Sequence, residues 1–190
     1  MLIRAFAVCF FFVANLAAAG PTVLFSPEGG CEAAVVKLIT ETKSQLDIAV
    51  YSINNEAIVN ALVDAKKRGV KLRILTDHVQ AAVNAKITLE LVNRGFSIRL
   101  HSSGKIMHNK FAISDRRLVE TGSFNWTRPA EQVNEENCLV LDDVDTATKF
   151  EQRFESHLWV VNTQGKSDKH LAKLKKRALD RGIAGATTGE

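Results

Sequence analysis

The chain has 190 residues, 46% of them hydrophobic and 24% charged, which is the composition of a globular protein and excludes a disordered or low-complexity one. Its formal net charge of +4 is too small to make the whole surface a polyanion binder. Three cysteines without a CxxC or zinc spacing exclude a zinc module or a thioredoxin-like redox motif.

Arg4 is followed by an apolar run from Ala5 to Val13 and by the small residues Ala17, Ala18 and Ala19. This pattern predicts a secretory signal over residues 1–19, cleaved near Ala19, and hence an exported protein, periplasmic or secreted. An N-terminal membrane anchor is the alternative, but the run is interrupted by Asn15 and falls short of the roughly 20 residues that span a bilayer. Cleavage removes Cys9 and leaves Cys31 and Cys138, which could pair in an oxidising compartment or remain two buried thiols. Residues 20–165 are long enough for one domain with its own core. Residues 166–190 form a basic extension with seven cationic and three acidic side chains, partly helical or disordered.

The elements alternate along the chain. Thr22–Phe25 reads as a strand and Ser26–Gly30 as a turn, and Cys31–Thr42 has helical spacing of Ala34, Val35, Leu38 and Ile39. Leu46–Val50 is a buried strand, and Asn55 caps a helix that ends at Gly69. Val70–Thr76 is a strand, Ala81–Arg94 a helix closed by Gly95, and Phe96–Leu100 a strand. Phe111–Ser114 and Leu118–Thr121 make a hairpin over Asp115-Arg116-Arg117, and Asn137–Leu141 adds another strand. Val144–Val161 is an amphipathic helix carrying Phe150, Phe154, Leu158 and Trp159. Such alternation predicts an α/β fold, with the first half of its sheet largely parallel. In the extension, Leu171, Leu174 and Ala178 form only a narrow apolar stripe, so a solvated, partly frayed tail is expected there. The other reading is a basic helix for nucleic acid or for an anionic surface, through residues 166–181.

Chemistry concentrates between His108 and Glu136. His108 and Lys110 are two apart, then four residues lead to Asp115 and six more to Gly122-Ser123-Phe124-Asn125. A neutral imidazole can attack or accept a proton near neutral pH, and a neighbouring lysine offers charge to an anionic oxygen. Ser123 and Asn125 add uncharged donors, and Gly122 permits close backbone approach. This set suits a phosphate. Gathering His101, His108, Asp115 and Glu136 around a metal is the competing reading, but the cation of Lys110 among them argues against it, and no metal or other cofactor is expected.

The spacing His-x-Lys, Asp115 and Gly-Ser-x-Asn, together with Ser26-Pro-Glu-Gly29, Ala65–Val70, Glu120–Asn125 and Asn134–Asn137, resembles the phospholipase D superfamily over Val23–Trp159. More narrowly the chain is similar to that superfamily's short, single-motif bacterial endonucleases. The resemblance implies an α/β/α sandwich with a mixed, largely parallel central sheet. It also implies catalytic His108, Lys110, Ser123, Asn125 and Glu136, with Glu136 orienting the imidazole and Glu135 as its substitute. Asp115 enters the site through the motif but is read as structural or as pairing with a nearby cation. Trp126 is a candidate to stack on a base or sugar, although packing is the commoner role.

Hydrolysis through a phosphohistidine needs a second acid across the scissile bond. His78, His101, His157 and His170 lack a matching Lys and Gly-Ser-x-Asn. A homodimer would place two His108 side chains face to face. The sequence therefore predicts a metal-independent phosphodiesterase acting on nucleic acid, DNA or RNA. Phospholipid headgroup hydrolysis is the alternative, and a non-catalytic nucleic-acid or membrane-binding module the second.

Overall fold

The computed structural model describes residues 20–101, 104–183 and 185. The predicted leader, its cleavage point and the chain's last five residues lie outside them. Seven strands form one sheet: β1 (Thr22–Ser26), β2 (Gln45–Val50), β3 (Lys71–Asp77), β4 (Ser97–His101), β5 (Lys110–Ser114), β6 (Leu118–Gly122) and β7 (Glu136–Asp142). Their order is β1-β7-β6-β5-β2-β3-β4. The pairs β2–β3 and β3–β4 are parallel, as the alternation of strand and helix requires. The other four neighbouring pairs are antiparallel. The sheet is mixed with an antiparallel majority, because the β5–β6 hairpin and β7 join without crossover helices.

Both faces of the sheet are covered, and strand alternation sorts the side chains between them. Leu46, Ile48, Leu72, Ile74 and Ala112 pack toward α1 (Cys31–Glu41), α2 (Glu56–Lys67), α4 (Ala85–Asn93) and α7 (Gln164–Asp180). Ala49, Leu75, Phe111, Ile113 and Val119 pack toward α6 (Val144–Arg153) and the π-helical turn Phe154–Trp159. The expected α/β/α sandwich is thus the observed one.

Three elements differ from expectation. The helix predicted over 81–94 is two helices, α3 (His78–Val83) and α4, broken at Asn84. The Asn84 amide donates to Ser52 Oγ and the Gln80 carbonyl and accepts from Asn54, so tertiary bonds to residues 52 and 54 fix the break. A short helix, α5 (Arg128–Gln132), is capped by Thr127. Over residues 164–180 the C-terminal extension is not a frayed tail: α7 buries Ser167, Leu171, Leu174 and Ala178 against the α4 face of the sheet. The Ser167 hydroxyl accepts from the Leu100 N–H of β4 and so satisfies an edge-strand donor.

Two buried groups in the core are of note. Cys31 and Cys138 form a disulfide with Cα atoms 5.9 Å apart, tying the start of α1 to β7. Glu120 of β6 is fully buried, and neither of its carboxyl oxygens has a hydrogen-bond partner. Burial pushes its pKa up to about 8, against a smaller downward pull from the neighbouring Trp126 indole, which lies outside hydrogen-bond geometry. In the unfolded chain the same carboxyl ionises near 4.5. Between these values unfolding releases a proton, so the native state loses about 4–5 kcal/mol as pH rises from about 4.5 to about 8. Urea unfolding of Glu120→Gln is expected to lack this slope; equal slopes in both proteins would show that Glu120 is ionised in the fold.

Candidate active site

The candidate residues meet at one end of the sheet. β5 starts at Lys110 opposite Val50, and the Tyr51 N–H donates to the Asn109 carbonyl, so the strand end holds the segment that presents His108. That segment is anchored a second time by Asp77. One Asp77 oxygen caps α3 by accepting from Val79 and Gln80, and the other accepts from the Met107 N–H at 3.2 Å. His108 itself is exposed.

Lys110 is buried, and its ammonium donates to the His108 carbonyl at 2.9 Å. Its Nζ lies 5.1 Å from the centroid of the Tyr51 ring, which also packs against the His108 imidazole at 4.7 Å between centroids. The two side chains thus share one aromatic wall, a cation–π contact for the lysine and a ring contact for the histidine. Burial lowers the Lys110 pKa, and the negative charge of Glu136 works in the opposite direction.

On the neighbouring strands, Gly122 lies against β7 so closely that a Cβ would come within 2.2 Å of the Asn137 carbonyl oxygen. No other residue fits there. The Ser123 and Phe124 N–H groups both donate to that carbonyl. The Ser123 hydroxyl donates to Glu136 Oε2 and accepts from the Asn137 N–H, while Glu136 Oε1 accepts from the Asn134 amide at 3.0 Å. Asn125 carries a buried Oδ1 without a hydrogen-bond partner. Within one chain, then, Glu136 holds Ser123; among the described residues no hydrogen bond joins it to His108. Glu135 beside it is exposed.

Other predicted residues stand elsewhere. Asp115 sits at the opposite end of β5, in a turn where it and Arg116 have φ of 49° and 59°. Its carboxylate accepts from the N–H groups of Lys43, Ser44 and Gln45 and from the Ser44 hydroxyl. Burial opposes ionisation, but these donors outweigh it and lower its pKa to about 2. It is a structural clamp on the α1–β2 connection, bonded to N–H and O–H donors. Trp126 is fully buried in the core, so it packs and has no face for a base or sugar. His101 is buried at the end of β4 with its Nδ1 against the Asn162 amide, and Asp115 lies at the far end of its strand, so His101, His108, Asp115 and Glu136 do not converge.

Sequence reasoning missed Tyr51, Asp77 and Asn134. Tyr51 is the sole tyrosine and directly follows a buried strand, which was a usable signal. Asp77 follows a strand at a helix N-cap position, but its second bond to Met107 spans 30 residues and leaves no trace in local pattern.

An open α/β/α sheet with an exposed imidazole, a buried lysine and a Ser–Glu pair gathered at one end defines a single-site architecture suited to an anionic group. The chain belongs to the family described as cardiolipin synthase, PLD-like domain, whose model matches residues 35–159. It is 39% identical over 114 residues to a mitochondrial cardiolipin hydrolase of Chlamydomonas reinhardtii, covering 60% of this chain and 51% of that protein. It is 29% identical over 153 residues to a phospholipase D of Rickettsia prowazekii, covering 80% of this chain and 75% of that protein. Among solved structures it is similar to Nuc, a phospholipase D family member from Salmonella typhimurium. There the TM-score is 0.65 at 34% identity, covering 72% of this chain and 91% of that one. The chain thus spans about half the length of the algal relative and most of the Salmonella protein.

Proposed function

We propose that this protein is a phosphodiesterase that cleaves nucleic-acid strands without a metal, through a phosphohistidine formed on His108. The observation that carries the reading is the convergence of an exposed imidazole with Lys110, Ser123, Asn125 and Glu136 at one end of the sheet. In the first step a nitrogen of His108 attacks phosphorus in line and the P–O bond to the leaving alkoxide breaks. Lys110 and Asn125 hold the non-bridging oxygens, and Ser123 is aligned by Glu136. The leaving oxygen takes a proton from an acid on the opposite side, and water activated by that same group then hydrolyses the P–N bond.

Each chain brings one such imidazole, so the acid comes from His108 of the partner subunit in a C2 dimer. Exposed apolar side chains flank the half-site and suit burial in such a contact: Ile106 is 70% and Val133 73% exposed. Sedimentation is expected to show a dimer of the mature chain, with activity falling on dilution as dimers part. A monomer with full activity would remove the shared site.

Phospholipid headgroup hydrolysis is the second reading, favoured by the names of the algal and rickettsial relatives. An apolar groove of about 510 Å³ does exist, lined by Leu24, Ala34, Leu38, Leu118 and Val140. The groove lies toward the Leu118 end of β6, about 13 Å along the strand from Gly122 at the site end, so it does not adjoin His108. Nicking of supercoiled plasmid in EDTA, set against release of headgroup from phosphatidyl vesicles, tests the two readings. Headgroup release without nicking would overturn the nuclease. The Cys31–Cys138 pair supports export to an oxidising compartment.

A further inference from the structure

The α7 helix lies beyond residue 159, where the family match ends. Its buried stripe orients it, and the adjacent stripe is cationic: His170, Lys173, Arg177 and Arg181 follow at spacings of three, four and four, which places them along one edge of the helix. That edge faces α3. The His170 ring lies 5.2 Å from the ring of His78, the first residue of α3. Between them is a cavity of about 150 Å³ lined by His78, His170, Lys173 and Arg177 over Leu100 and Leu174. At about 30 Å³ per water it has room for a phosphate group. Burial, with the charges of His78 and Lys173, pushes the His170 pKa down, as expected where positive groups converge without an anion.

Two further observations bear on what fills this cavity. Among the described residues Lys173, Arg177 and Arg181 enter no ion pair, so their charges are not neutralised within the chain. The cavity also adjoins the active-site rim: His78 follows Asp77, and Asp77 bonds the residue preceding His108. The stripe from His170 to Arg181 is about 16 Å long, enough to meet several successive phosphates of one strand. Its charges lie in a groove between two helices, which admits a strand more readily than the plane of a bilayer.

We propose that the α3–α7 groove is a phosphate track. A nucleic-acid strand with its scissile phosphate at His108 places a neighbouring phosphate in the His78–His170–Lys173–Arg177 cavity and continues toward Arg181. This rests on the nuclease reading and assigns α7 the task of engaging longer substrates.

The test is the double variant Lys173→Gln/Arg177→Gln in the full mature chain. Its KM for a single-stranded 30-mer should rise about tenfold, and the salt slope of binding should fall by about 1.4, from two lost phosphate contacts at about 0.7 each. Turnover of bis(4-nitrophenyl) phosphate, which has one phosphate and cannot reach the groove, should not change. Equal losses on both substrates, or no change on either, would overturn the track. Oligonucleotide binding to His108→Ala, with and without the two substitutions, separates this from cleavage: binding that depends on Lys173 and Arg177 upholds the track even if the wild type cuts no DNA. Loss of binding to phosphatidylglycerol vesicles with oligonucleotide binding intact would make the groove a membrane contact and overturn the proposal.

Discussion

His108→Ala is expected to lower phosphodiester cleavage on the order of ten-thousand-fold, since removing a covalent nucleophile leaves only binding and electrostatic stabilisation. Folding should be nearly untouched. The side chain is exposed and its ring makes one aromatic contact, with Tyr51, so the unfolding free energy should change by less than about 1 kcal/mol. Wild-type cleavage should persist in EDTA, because the cation of Lys110 supplies the charge that a metal would otherwise bring to the phosphate. Plasmid nicking by both proteins in parallel decides the matter. Cleavage that survives the substitution would move the nucleophile elsewhere; cleavage lost from the wild type in EDTA would require a metal. On the proposed shared site, heterodimers of wild-type and His108→Ala chains should also be strongly impaired, as the composite site then lacks either attacker or acid.

Removing the disulfide should have the largest effect on stability. Cys31 and Cys138 close a loop of 107 residues, and cross-linking a loop of about 100 residues restricts the unfolded chain by about 4–5 kcal/mol. Cys31→Ala/Cys138→Ala should therefore lower the unfolding free energy by about 3–5 kcal/mol and the midpoint by about 10 °C. The bond also bears on the site. Cys138 pairs with Gly122 across β6–β7, and its neighbour Asn137 receives the Ser123 and Phe124 N–H groups, so loosening β7 should loosen Ser123 and Glu136. Activity at 37 °C is expected to fall with stability and to recover on cooling. Alkylation of both thiols in unfolded protein without prior reductant would show that the bond does not form.

Much of the fold was legible because local pattern and tertiary demand agree. Asn55 has a helix cap's chemistry and accepts from Ala57 and Ile58; Gly69 and Gly95 adopt the positive φ that helix ends need. The α3–α4 break was not legible, since Asn84 is stabilised there by Ser52 and Asn54, some 30 residues away. The extension misled for a related reason. Leu171, Leu174 and Ala178 make a weak stripe in isolation, but β4 and α4 offer a surface that the stripe completes.

For the site, residue identity and spacing by themselves determined the family and the α/β class, and they nominated His108, Lys110, Ser123, Asn125 and Glu136 as candidates, because those side chains carry the chemistry and sit in one continuous stretch. What each does inside the chain was decided by tertiary structure alone. Trp126 became core, Asp115 became a clamp on residues 43–45, Glu136 became the partner of Ser123, and Cys31 met Cys138. The reason is physical: hydrogen-bond partners and burial depend on which strands lie side by side, and the order β1-β7-β6-β5-β2-β3-β4 brings together residues as many as 107 positions apart.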